Sequence, residues 1–423
     1  MADVDGSEKR HKLICFAYAC FLLLWQLCAF AELVQLQFDH ELFFLRRGGQ
    51  PYISDFVNLY TAGALSFSED RLRAYDPLVQ SIWRNRFIYP EHLDTVFYFQ
   101  YPPFAFPLLS PLALLPISGA YWVWCSLGLI AGGVAVYHLL KLLNRLDQRQ
   151  RLTFIIGFLA SMPVWQSLRL GQLSLIMLML LSLFLLFLIK RRHFLSGACL
   201  ALSTIKPQYT LFFAIPPLVM KRWQTVAWSL IVEALLLLVA GLSVGWTNIW
   251  NYPHILARAE TATSLVGTAQ QEMVSLRGFL TLASAGLPIM PVSIGLLAVG
   301  LIAVWLLWGA ANKENVDSCA WPAALTVVIS LLCSPHAHAQ DLVFLAIPAA
   351  LTLRSVSIFD LKKDGPASYK WWCRILILYP LLSWLLFLTR PLWILIKLQL
   401  FAVINLLLLI LGLRCWWPAR RKS

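Results

Sequence analysis

The chain has 423 residues, 59% of them hydrophobic and 13% charged, with 18 tryptophans and a mean hydropathy of +0.70, a balance that excludes a soluble globular domain and fits a polytopic membrane protein. The formal net charge of +13 comes without any long Lys/Arg run interleaved with aromatics, so it points to basic cytoplasmic loops and away from nucleic acid. The nine cysteines contain no CxxC pair, which argues against a disulfide framework or a zinc site.

In chain order, residues 1–12 form a charged, cytoplasmic N-terminus with Lys9, Arg10 and Lys12. The apolar run 13–33 is longer than a signal-peptide core and lacks a small-x-small cleavage site, so a retained first helix is expected. Apolar runs expected to cross the bilayer begin near residues 13, 119, 152, 171, 224, 286, 319, 341, 375 and 391. They define an all-α membrane domain over 13–413 with about 10–12 helices, some broken or re-entrant, and a basic cytoplasmic tail over 414–423. With the N-terminus inside, most of the 34 Lys and Arg fall in the cytoplasmic segments, among them 141–151, 190–192, 312–314 and 354–374. The external face then carries the loops 34–103 and 246–285, the RLGQ turn (169–172) and SPHAHAQDL (334–342).

Two stretches resist a regular crossing. Residues 101–116, YPPFAFPLLSPLALLP, hold five prolines and predict a broken or interfacial element. Residues 194–220 have basic flanks at both ends and Lys206-Pro207 at their centre. A hairpin of two short helices with IKPQ at its tip keeps both basic flanks on one side, and broken backbone of this kind survives only against protein or a water-filled cavity.

The external face gathers the residues able to carry chemistry. Asp55 precedes an amphipathic stretch and is either a helix N-cap or a carboxylate at the membrane edge acting as a general base. Lys206 lies within an apolar run, where an ammonium costs roughly 2.5–3.5 kcal/mol unless partnered, so it either pairs with an internal carboxylate such as Glu233 or meets an anionic ligand such as a lipid phosphate. Arg169 is an anion contact or a snorkelling interfacial side chain, and Arg277 an anion contact or a loop cation. His336 and His338 are open to water-satisfied, phosphate or sugar-binding, and metal-ligating readings; a metal would need Asp341 and a fourth ligand.

The stretches SDFVNLYTAGALSF, AYDP, FQYPPFAFPLLSPLALLP, LGQLSLIML, ALSTIKPQYTLFFAIPPLV, VSLRGFL and SPHAHAQDLVFLAIP together resemble, in order, glycosyltransferase family 87, membrane enzymes of the GT-C superfamily that use polyprenol-phosphate sugars. The resemblance implies an inverting transfer of a sugar, mannose or arabinose among the options, to an acceptor hydroxyl on a glycolipid or glycan. The expected setting is the plasma (inner) membrane, with the active site facing the periplasm or exterior. It implies Asp55 as the base and Lys206, Arg169, His336, His338 and Arg277 as contacts of the donor phosphate. Tyr60, Tyr101, Gln172, Gln208 and Asp341 would contact substrate. Membrane lipids are expected partners; no nucleic acid, cofactor or metal is expected beyond the lipid-linked donor. Leu170 stands where family members often have Asn, and Gln340 where they have Tyr, which bears on sugar and acceptor identity; no acceptor-selecting soluble domain is expected after residue 413. The rival expectations are a sugar or lipid transporter or flippase, which would share buried charges and broken helices, and an inactive scaffold of the same fold.

Overall fold

A computed structural model describes residues 2–38, 43–47, 50–94, 98–142, 146–261, 272–284, 289–311, 316–353 and 366–420. Helix α1 (Ala2–Phe38) leads into a small antiparallel hairpin of β1 (Phe44–Arg47) and β2 (Gln50–Ile53), with Leu45 opposite Tyr52. Then follow α2 (Asp55–Leu65), a 3-10 turn (Glu69–Arg73), α3 (Pro77–Phe87), α4 (Ala105–Leu109) with a second 3-10 turn (Ser110–Leu114), and α5 (Ile117–Leu142). The middle of the chain builds α6 (Gln148–Leu159), α7 (Met162–Leu170), α8 (Ser174–Ile189), α9 (His193–Ser203), α10 (Pro207–Val219), α11 (Trp223–Val244) and α12 (Trp246–Thr261). The last part holds α13 (Leu276–Ala283), α14 (Ile289–Gly309), α15 (Val316–Cys333), a 3-10 helix (Ala339–Leu345), α16 (Ala346–Thr352), α17 (Ala367–Leu388), α18 (Arg390–Leu395) and α19 (Leu400–Arg420).

Among the described residues, five helical segments are long and apolar enough to span a bilayer: Phe16–Leu36, Ile117–Leu142, Trp223–Val244, Ile289–Gly309 and Ala367–Leu388. At 1.5 Å per residue each covers the roughly 30 Å hydrocarbon thickness. Leu230, Leu235 and Leu242 on α11 and Ile294, Val299 and Leu306 on α14 point outward, a placement that water would penalise and lipid does not. The helical membrane class expected from composition therefore holds, with the β1–β2 hairpin as a minor addition. Residues 39–42 and 95–97 of the first long loop, 262–271 of the second, and the basic segments 312–314 and 354–365 lie outside the described residues.

The run beginning near 152 is not one helix. It breaks at Ala160–Ser161, where Pro163 opens α7. Proline lacks an N–H and fits the first helical turn, so it starts the second helix instead of extending the first. The freed groups are taken up by α17: the Trp384 indole donates to the Ala160 carbonyl (2.7 Å), and the Met162 N–H donates to Ser383 Oγ (3.2 Å).

The 194–220 stretch folds as the expected hairpin. His193 hydrogen-bonds Thr225 (3.0 Å) at the starts of α9 and α11, while Thr204 donates to Glu233 (2.8 Å) at the far end of α9 and midway along α11. Helices α9 and α11 thus run parallel, which requires α10 to return to the side α9 left. The tip is set by sequence: the residue before a proline is pushed out of the helical region, and Lys206 accordingly has φ −122° and ψ 78°. A second return closes behind it. Trp321 on α15 meets Trp372 on α17, and Trp372 donates to Thr352 at the end of α16, so α15 starts and α16 ends on one side. The turn between them, 334–345, therefore meets the Lys206 tip.

Candidate active site

Asp55 is the first residue of α2, and the cap is its neighbour: Ser54 Oγ accepts from the Phe56 N–H (3.3 Å). The N-cap reading of Asp55 therefore falls away. Its carboxylate is partly exposed, and Oδ2 accepts a 2.5 Å hydrogen bond from Gln172 Nε2. The amide is oriented by its other end, since the Tyr101 hydroxyl donates to Gln172 Oε1 (3.3 Å). Tyr101 in turn is held where the Tyr75 hydroxyl donates to its carbonyl (2.5 Å).

Gln172 owes its place to the turn between α7 and α8. Gly171 is left-handed (φ 64°, ψ 39°), and a Cβ there would stand 2.5 Å from the Cβ of Phe56. Only glycine admits both that backbone and that approach. Three carbonyls around the turn are tied: Tyr121 donates to Leu168 O (2.8 Å), Ser54 to Leu170 O (2.9 Å) and Trp124 to Gly171 O (2.8 Å). Gln172 is thereby delivered to Asp55 from a braced platform.

Two residues farther on, Ser174 faces a different neighbourhood. Its hydroxyl donates to Asp341 Oδ1 (2.7 Å), which also receives Lys206 Nζ (2.6 Å); Nζ lies 3.2 Å from Ser174 Oγ as well. Asp341 Oδ2 accepts from the Tyr209 hydroxyl (2.8 Å) and the His338 N–H (3.2 Å). Lys206 is 5% exposed and Asp341 1%. A buried charge is tolerated when paired and hydrogen-bonded, and here the carboxylate meets four donors.

Lys206 pairs with an internal carboxylate, as one of its two readings expected, but that carboxylate is Asp341 and not Glu233, which sits midway along α11, bonded by Thr204. Asp341, expected to touch substrate, is the counter-ion of Lys206, and its burial leaves it no surface for a sugar in this structure. Tyr60 is likewise buried, its hydroxyl donating to Leu115 O (2.7 Å). Gln208 Nε2 reaches the His336 carbonyl (3.4 Å), and Arg277, 3% exposed, donates to the Pro335 carbonyl (3.1 Å). Both fix the 334–338 turn through its backbone. In that turn, partial burial and the nearby Arg277 guanidinium push the His336 imidazole below its ordinary range, so it is neutral at pH 7. The two imidazoles stand 6.5 Å apart between centroids. Arg169, 5% exposed, lies at the end of α7 beside Tyr121. Among the described residues, no three His, Cys, Asp or Glu side chains are grouped so as to hold a metal ion.

Ser54, Ser174 and Tyr209 escaped the sequence reading, although Ser174 and Tyr209 bond Asp341 and Ser54 caps α2 and ties it to the Leu170 carbonyl. Tyr209 stands three positions after Lys206, a helical neighbour once α10 is known to start at Pro207. Ser54 precedes an acidic residue as caps often do. Ser174 carried no signal, being one serine in an apolar run.

The arrangement puts a partly exposed carboxylate next to a sealed, charge-bearing cluster on one turn. A model of glycosyltransferase family 87 matches residues 99–335, more than half of the chain. That span contains Tyr101, Arg169, Gln172, Lys206, Gln208 and Arg277, and leaves Asp55, Tyr60, His336, His338 and Asp341 outside it. No curated protein and no solved structure matches the chain.

Proposed function

The chain belongs to glycosyltransferase family 87, and from that premise we propose that it transfers a sugar, mannose first among the options, from a polyprenyl-phosphate donor to a hydroxyl of a glycolipid or glycan, with inversion. The observation that carries this reading is the Asp55 carboxylate, partly exposed and aimed by the Gln172 amide. As the acceptor oxygen attacks the anomeric carbon, its proton passes to Asp55 and the bond from that carbon to the phosphate oxygen breaks. The electron pair leaves with the lipid phosphate. The amide hydrogen bond holds that carboxylate in one orientation, as a base positioned for the acceptor proton requires.

The departing phosphate needs fixed positive charge. Lys206 is paired with Asp341; Arg277 and Arg169 are the guanidinium groups assigned to the phosphate, with neutral His336 and with His338 as hydrogen-bonding groups on the same turn. Tyr101 lines the sugar side. The residues present suffice for this chemistry without a metal, a proposal checked by assaying transfer in a chelator: loss of activity restored by a divalent cation overturns it. We place the site on the outer face of the plasma membrane. Lys190, Arg191 and Arg192 lie on the same side of the bundle as Lys221 and Arg222, joined by the His193–Thr225 bond, and basic clusters favour the cytoplasm. The hairpin tip points away from them.

The test is transfer in nanodiscs from radiolabelled polyprenyl-phosphate mannose to a membrane glycolipid extract, wild type against Asp55→Asn. Label in a new product with wild type alone is the expected result. Equal labelling by both removes Asp55 as the base, and no labelling from mannose or arabinose donors overturns the donor assignment.

A further inference from the structure

The surface around the far end of α11 has a composition that the transfer reaction does not use. Helix α3 packs Val79, Trp83 and Phe87 inward, yet Leu78 and Ile82, one turn apart, stand outward at 65% and 56% exposure. Leu72 in the preceding 3-10 turn is equally exposed, as are Trp246 and, at 76%, Trp250 on α12. These elements form one continuous surface: Asn248 donates to the Leu72 carbonyl (3.2 Å), and Leu72 packs where Gly245 closes α11. The Trp83 indole donates to Asp70 (2.9 Å), tying α3 to the same 3-10 turn.

The level of this surface is fixed by α11. That helix is a spanning segment whose outward leucines end at Leu242, and the two tryptophans and Leu72 begin immediately beyond. Leu78 and Ile82 leave more than half of their apolar surface outward on α3, area that water penalises and lipid does not, and tryptophan collects where hydrocarbon meets headgroups. From this geometry we infer that the 3-10 turn Glu69–Arg73, α3 and the start of α12 form a collar seated in the headgroup–acyl boundary of the leaflet at which α11 ends. The occupant is the lipid bilayer itself, continuous with the lipid-facing side of α11. Along the turn and α3, Glu69, Asp70 and Asp76 stand against Arg71, Arg73 and Arg86 and the buried Arg84, leaving one positive charge in excess and none among the exposed groups, so apolar contact carries the association and anionic lipid is not required. On its inner face the collar reaches the site: Phe87 stacks edge-on against Tyr60 at 4.8 Å, and Tyr60 neighbours Phe56, next to Asp55.

The test needs no substrate and is independent of the transferase reading. Nitroxides are attached through a genetically encoded ketone side chain at position 78, 82 or 250 of the full chain, avoiding its nine cysteines, and at position 94, whose aspartate side chain is 98% exposed, as the aqueous reference. Each labelled protein is reconstituted in nanodiscs of phosphatidylcholine alone and of phosphatidylcholine with phosphatidylglycerol. Relaxation by oxygen exceeding that by a water-soluble nickel chelate at 78, 82 and 250 in both lipids, with the reverse at 94, is the expected result. Nickel exceeding oxygen at 78 and 82 places the collar in water and overturns the inference. Shielding from both reagents puts a second protein copy on the patch and overturns it equally. A requirement for phosphatidylglycerol overturns the apolar account. Should a label at 82 prevent reconstitution, position 78 reports the same stripe.

Discussion

Gln172 and Ser174 sit two residues apart on one turn and serve opposite environments. Gln172 meets a partly exposed carboxylate through one amide hydrogen bond, whereas Ser174 joins a sealed cluster in which Lys206, Tyr209 and the His338 N–H all converge on Asp341. The same pair of chemical types, a carboxylate and its donors, is therefore partly exposed on one side and closed off on the other. Burial makes the difference. A carboxylate with every lone pair occupied has no capacity left for a substrate proton, and one that water and substrate can reach retains it.

That contrast is sharpest at the two carboxylates. Asp55→Asn keeps the shape and removes the base, so sugar transfer should fall by about 10²–10⁴-fold with an unchanged melting temperature; a matching drop in melting temperature would make Asp55 structural. Asp341→Asn or Lys206→Met should do the converse, leaving an unpaired buried charge at a cost of about 3–5 kcal/mol. Thermal unfolding in detergent checks it, and the double variant Lys206→Met/Asp341→Leu should recover much of the loss. If the singles leave stability intact, the cluster is not a brace.

Smaller effects probe the turn between them. Gln172→Ala removes one hydrogen bond to a charged group, about 1.5–3 kcal/mol. It should appear in kcat for transfer more than in KM. Gly171→Ala puts a side chain into a left-handed residue at about 1–2 kcal/mol and against Phe56; lowered stability together with lowered transfer is the expected outcome. Tyr101→Phe loses only the hydroxyl that orients Gln172, worth about 0.5–1.5 kcal/mol, and should reduce transfer least of the set.

The sequence made the hairpin at 194–220 legible because two basic flanks and one Lys-Pro at the centre leave few ways to satisfy the charges, and α9 and α10 form as that reasoning requires. It made the break in 101–116 legible through its prolines. The break at Ala160–Ser161 was harder to see, because the groups that satisfy it, Trp384 and Ser383, come from more than 200 residues later in the chain. At the site, Asp55, Lys206, Gln172 and the 334–342 turn stood out as polar groups in apolar surroundings, while Ser54 and Ser174, small and common, did not.

Composition and periodicity by themselves determined that this chain is a helical membrane protein, that the 101–116 and 194–220 stretches break, and which polar residues are too costly to be idle in an apolar run. Those are local properties, set by the transfer cost of side chains and by the backbone restrictions of proline. Only the tertiary structure decided that Lys206 pairs with Asp341 and not with Glu233, that Ser54 and not Asp55 caps α2, and that Gln172 donates to Asp55. Pairing depends on which segments meet across 117 to 135 residues of chain, and packing of the whole bundle, not any residue's own preference, sets that meeting.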